Sequence, residues 1–100
     1  MENIYYIIAF DYGRPHYETT YFNYTDGQTR KREEAFKYLD DNVAIDIYNQ
    51  IQDIQHSPYL MEKNKVFGNR VLGNMTDRKI SVLSIETSSG VVTEIQNNFI

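Results

Sequence analysis

One hundred residues with 41% apolar side chains are enough for one packed domain, residues 1–100, and too apolar for a disordered chain. The absence of cysteine excludes disulfides and thiolate chemistry. A net charge of −4, from 14 acids and 10 bases, disfavours non-specific binding to nucleic acid.

The chain opens with "MENIYYIIAF", which has an apolar run but no basic region and no small-residue cleavage site of a signal peptide. No run approaches the ~20 apolar residues of a membrane span. The expected location is the cytoplasm, with no membrane partner. "IYYIIAFDY", residues 4–12, predicts a strand rich in β-branched and aromatic residues. Ile4, Tyr6, Ile8 and Phe10 share one face and Tyr5, Ile7 and Ala9 the other. Apolar residues on both faces predict a central strand, or one with a face against a partner.

"YETTYFNY", residues 17–24, predicts a second strand. Between the two lies "GRPH", where Gly13 and Pro15 favour a turn, so the pair reads as a β-hairpin. "TDGQT" breaks the pattern. "RKREEAFKYLDD", residues 30–41, predicts a first helix with Ala35, Phe36 and Leu39 on its apolar face and Thr29 as N-cap. The Arg30-Lys31-Arg32 triplet opposes the helix dipole at that end. Val43, Ile47, Ile51 and Ile54 form a helical stripe with Tyr48 beside it, predicting a second helix. Asp40-Asp41-Asn42 marks the break, with Asp41 or Asn42 as the cap. A strand over Val43–Tyr48 is the alternative, because "VAIDIY" is rich in β-branched residues.

Ser57-Pro58 stops this helix, and "QHSPYLMEKNK" connects onward. "VFGNRVLGN", residues 66–74, predicts turns or a short bulged strand. "KISVLSIET" and "VVTEIQNNF" flank "SSG", a hairpin in which Gly90 takes a left-handed conformation. The expected fold class is α+β: an antiparallel sheet of four or five strands, in the order β-β-α-α-(β)-β-β, with helices packed on one face.

Catalytic signals are weak. His16 and His56 are the two histidines, one in a turn and one at a helix end, and neither has an evident nucleophile to activate. No histidine or cysteine pair has metal-ligand spacing, and Asp40-Asp41 reads as capping rather than a magnesium site. Gly68 and Gly73 match the glycine spacing of a phosphate loop, but Asn74 and Met75 replace its lysine and hydroxyl residue. The expectation is no enzyme activity, no catalytic or metal residues and no cofactor.

Binding signals are stronger. Six of nine tyrosines fall in the first 24 residues: Tyr5, Tyr6, Tyr12, Tyr17, Tyr21 and Tyr24. Tyr and Arg are enriched at interface hot spots, since Tyr offers a large rigid surface at little entropic cost. "DYGRPHY", residues 11–17, is the best edge of a protein-contact surface, with Tyr12, Arg14 and Tyr17 as anchors and Tyr21 as a further contact; a plain hairpin turn is the alternative. Asp46 and Asp53, seven apart, share a flank of the second helix and would complement a basic partner. The composition is similar in style to small acidic bacteriophage and mobile-element proteins. That likeness implies a non-catalytic binding module, an inhibitor that covers the nucleic-acid surface of a host protein such as a defence nuclease. The alternative is a small nucleic-acid-binding regulator that stacks bases on a tyrosine-bearing sheet, with Arg14, Arg30, Lys31 and Arg32 on phosphates. A second copy of the chain is a further candidate partner.

Overall fold

Ile4–Asp11 forms strand β1, and its position follows from its two apolar faces. It pairs antiparallel with a later strand along its whole length, from Ile4 opposite Glu86 to Asp11 opposite Lys79. In this computed structural model residues 3–11, 18–25, 27–55 and 79–98 are described, with the side chains of 54 and 55 excepted. The other strands are β2 (Thr20–Asn23), β3 (Gly27–Thr29), β4 (Lys79–Glu86) and β5 (Val92–Asn97). They make one antiparallel sheet in the order β3-β2-β1-β4-β5, with β1 at the centre as its pattern predicts.

Among the described residues one α-helix, α1 (Asp41–Gln55), packs across β1 and β4 on one face of the sheet. This settles Val43–Tyr48 as helix. The chain breaks where the acidic pair predicts, but the cap is Asp40, one residue earlier than expected: its carboxylate accepts the Asn42 N–H at 2.8 Å. The buried line of α1 is Ala44, Tyr48 and Ile51, while Ile47 packs half-buried and Val43 is exposed. The stripe is therefore turned toward Ala44. These three meet Ile8, Phe10, Phe22, Ile80 and Val82 of the sheet, and each fully buried aliphatic or aromatic side chain contributes ~1.5–3 kcal/mol.

The first predicted helix is absent. Arg32–Glu34 makes a single 3-10 turn, after which Ala35 is already extended (φ −61°, ψ 144°). Thr29 does accept the Lys31 N–H, at 3.2 Å, but it starts only this turn. Sheet backbone takes over next. β2 pairs with β1 only near Ala9 and Phe10, so the inner end of β1 needs another partner. Tyr38 supplies it, exchanging two hydrogen bonds with Tyr6 at 2.8 Å each. The Phe36 N–H donates to the Phe22 carbonyl at 2.9 Å. Ala35 and Tyr38 are buried, whereas Phe36 and Leu39 of the expected apolar face are exposed. Meeting buried backbone groups outweighs helix propensity over this stretch.

β3 was also not expected. Gly27, at φ +81°, turns the chain so that Asn23 pairs with Gly27, Phe22 with Gln28 and Tyr21 with Thr29. Among the described residues the fifth strand is Gly27–Thr29. The segments 56–65 and 66–74 of the sequence reading lie outside the described residues. The β4–β5 hairpin is as predicted, with Gly90 at φ +74° and its N–H on the Glu86 carbonyl at 2.8 Å. The register then shifts: Leu83 faces Glu94 but Val82 faces Gln96, leaving Ile95 as a β-bulge. No helix among the described residues is long and apolar enough to cross a membrane.

Candidate functional site

The face of the sheet away from α1 carries a groove, and its floor comes from residue size. Ala9 of β1 stands opposite Ser81 of β4, two small buried side chains. Side chains alternate along a strand, so Asp11, Thr19, Tyr21, Lys79, Leu83, Val92 and Glu94 gather round this floor. Arg32 of the 3-10 turn completes the lining of a cavity of about 300 Å³. Beside it Ile7, Ala35 and Ile85 form a small second core, with Tyr5, Tyr21 and Leu83 packed on it.

Among the described residues the groove has two cations and two anions, Arg32, Lys79, Asp11 and Glu94. The Lys79 ammonium lies 2.8 Å from the Glu94 carboxylate, and the Asn97 side-chain amide donates to the same carboxylate at 2.9 Å. The Lys79 bond, followed by that from Asn97, holds the Glu94 carboxyl below its usual range against some opposing desolvation. Arg32, exposed in its turn, has no ion pair among the described residues. Such a surface binds through mixed polar and apolar contacts and selects no single sign of charge.

The residues singled out from the sequence are divided between places. Tyr21 walls the groove, half-buried. Asp11 and Thr19 also line it, so the chain leaves for "DYGRPHY" and returns at the groove. Tyr12, Arg14 and Tyr17 themselves lie outside the described residues, as do His16 and His56. Asp46 and Asp53 are exposed on α1, across the sheet from Tyr21, and Asp46 accepts the Gln50 amide at 3.1 Å. The structure therefore does not join Tyr21 with the two aspartates in one surface. The sequence pointed to Arg32 only as a phosphate contact, and it did not single out Lys79, Leu83, Val92 or Glu94. The available signal was the pair Ala9 and Ser81, small residues at positions that alternate with Ile8, Phe10, Ile80 and Val82.

The described tyrosines do not form one platform. Tyr5 and Tyr21 lie on the groove face and Tyr6, Tyr38 and Tyr48 on the helix side. Phe22, Tyr24, Phe36 and Tyr38 pack successively, edge to face or tilted, with centroids 4.7–4.8 Å apart. The Tyr24 and Tyr38 hydroxyls share a hydrogen bond at 2.8 Å. Burial first, then that bond, pushes the Tyr38 phenol far above its ordinary range, and burial raises Tyr48 also. Both stay neutral and structural. At the start of β1 a second, open hollow of about 510 Å³ is lined by Ile4, Tyr5, Tyr6, Lys37 and Leu39, among others. Lys37 sits 5.7 Å above the Tyr5 ring there, and Leu39 is 85% exposed.

Among the described residues no three His, Cys, Asp or Glu side chains gather closely enough to hold a metal ion. The chain matches no protein-family model, no curated protein and no solved structure.

Proposed function

We propose that this chain is a non-catalytic binding module that engages a protein partner through the groove on the sheet face away from α1. The observation that carries the reading is the groove itself: a small-residue floor walled by Tyr21, Leu83 and Val92 and rimmed by charges of both signs. Aromatic and Arg anchors round a desolvated centre are the usual makings of a protein interface. The groove also lies where the "DYGRPHY" segment leaves and rejoins the sheet, so Tyr12, Arg14 and Tyr17 are proposed as its extension.

The finer reading, an inhibitor covering a partner's basic nucleic-acid surface, calls for a surface of one sign. Among the described residues the groove is balanced, and the acids that suit that role, Asp46 and Asp53, stand on α1. We therefore propose protein binding without that specialisation. Among the described residues base stacking on the sheet retains only Tyr5 and Tyr21 on one face, both half-buried, which favours the protein reading over the nucleic-acid one.

The test is capture from a bacterial lysate with and without nuclease. A protein that is retained after nuclease treatment by the native chain, and lost with Leu83→Asp in a variant that still folds, supports the reading. Retention that disappears with nuclease, or persists in Leu83→Asp, contradicts it.

A further inference from the structure

β5 is an edge strand of the sheet, and Val92–Gln96 are all exposed. Its hydrogen-bond phase follows from the hairpin. The Glu86 N–H bonds the Val91 carbonyl at 3.1 Å, so in the alternating antiparallel pattern Thr93 faces β4 through Ser84. Val92 and Glu94 then point their N–H and C=O groups outward, where no strand follows among the described residues. Protein edges of this kind are commonly guarded by lysine, proline or an unpaired charge. The charge on this edge is Glu94, and Lys79 of the same chain already neutralises it at 2.8 Å.

We propose that β5 is the contact between two copies of the chain, pairing antiparallel with the partner's β5 about a two-fold axis at Thr93. This occupant is favoured because the edge is complementary to itself in that register. Val92 stands opposite the partner's Glu94, and Glu94 opposite the partner's Val92, so each outward backbone group finds a hydrogen bond. The two carboxylates do not face each other. Thr93 meets the partner's Thr93, a favourable cross-strand pair. Val91, 51% exposed, stands opposite the partner's Ile95, 37% exposed, so two apolar side chains left in water are covered together. The bulge at Ile95 ends the regular ladder, which keeps the contact short and the dimer dependent on concentration. Val92 and Glu94 also line the groove, so the two grooves flank one axis. The inference does not rest on the proposed function.

The test is sedimentation of the native chain over a wide concentration range, beside Thr93→Lys and Thr93→Cys. The native chain should pass from monomer to dimer. Thr93→Lys sets two cations face to face and should remain monomeric with an unchanged melting temperature. In this cysteine-free chain, Thr93→Cys should form a disulfide-linked dimer under mild oxidation and Gln96→Cys should not. A native chain that stays monomeric throughout overturns the proposal and leaves the edge to an extended segment of another protein. A dimer that survives Thr93→Lys, or in which Thr93→Cys fails to cross-link, overturns it also.

Discussion

Ile7 and Ile8 are neighbours in β1 and both are fully buried, yet they serve different cores. Ile8 points toward α1, into a cluster with Phe10, Phe22, Tyr48, Ile51, Ile80 and Val82 that contains no charge. Ile7 points the other way, into a small cluster with Ala35 and Ile85 beside a groove ringed by Asp11, Arg32, Lys79 and Glu94. The same strands thus answer two demands at alternate positions. One face is filled with large side chains and closed by a helix. The other is floored with small ones and left with polar rims. Stability is expected to concentrate on the first face and recognition on the second.

Truncation on either side of β1 sharpens this contrast most. Ile8→Ala opens a cavity in the larger cluster and should cost about 3–5 kcal/mol, whereas Ile7→Ala, in the smaller one, should cost about 2 kcal/mol. Urea unfolding of the two variants checks the order, and equal losses would show that the groove face is as much core as the helix face. A smaller effect belongs to the helix itself. Asp40→Ala removes the cap bonded to Asn42 at 2.8 Å and should cost about 1 kcal/mol. Asp40→Asn should recover most of it.

The smallest expected effect lies in the groove. Lys79 and Glu94 are each about one third exposed, at 33% and 35%, so Lys79→Met should lower stability by at most about 1 kcal/mol at neutral pH. Glu94 titrates below its ordinary range in the folded chain, so its contribution is complete above the unfolded value. It is lost as pH falls through the folded one. Unfolding free energies from neutral pH downward should therefore converge for native and Lys79→Met. Parallel curves would mean that the pair does not stabilise the fold.

Much of the framework was legible in the sequence because it rests on local patterns. β1 announced its central place through two apolar faces, the β4–β5 hairpin through Gly90, and α1 through its spacing of apolar residues. Residues 30–41 misled because Ala35 and Tyr38 are held by long-range demands: a small cluster beside Ile7 and the unpaired backbone of Tyr6. Helix propensity cannot report either. β3 had a local signal that went unused, the Asp26-Gly27 pair that commonly turns a hairpin. The groove was legible only in part. Tyr21 stood out by type, but Lys79 and Glu94 meet through the β4–β5 pairing, and Arg32 joins them from a 3-10 turn far away in sequence.

The division between the two faces is tested most directly by measuring partner affinity and melting temperature together for one charge reversal on each. Arg32→Glu alters the groove rim, and Asp46→Lys with Asp53→Lys alters the exposed side of α1. With a protein captured by the native chain as ligand, Arg32→Glu should weaken binding about thirtyfold, or ~2 kcal/mol, while its melting temperature stays within a degree or so of native. The α1 variant should bind as the native chain does. Native affinity in Arg32→Glu together with loss of binding in the α1 variant would contradict the account and move the contact to the helix.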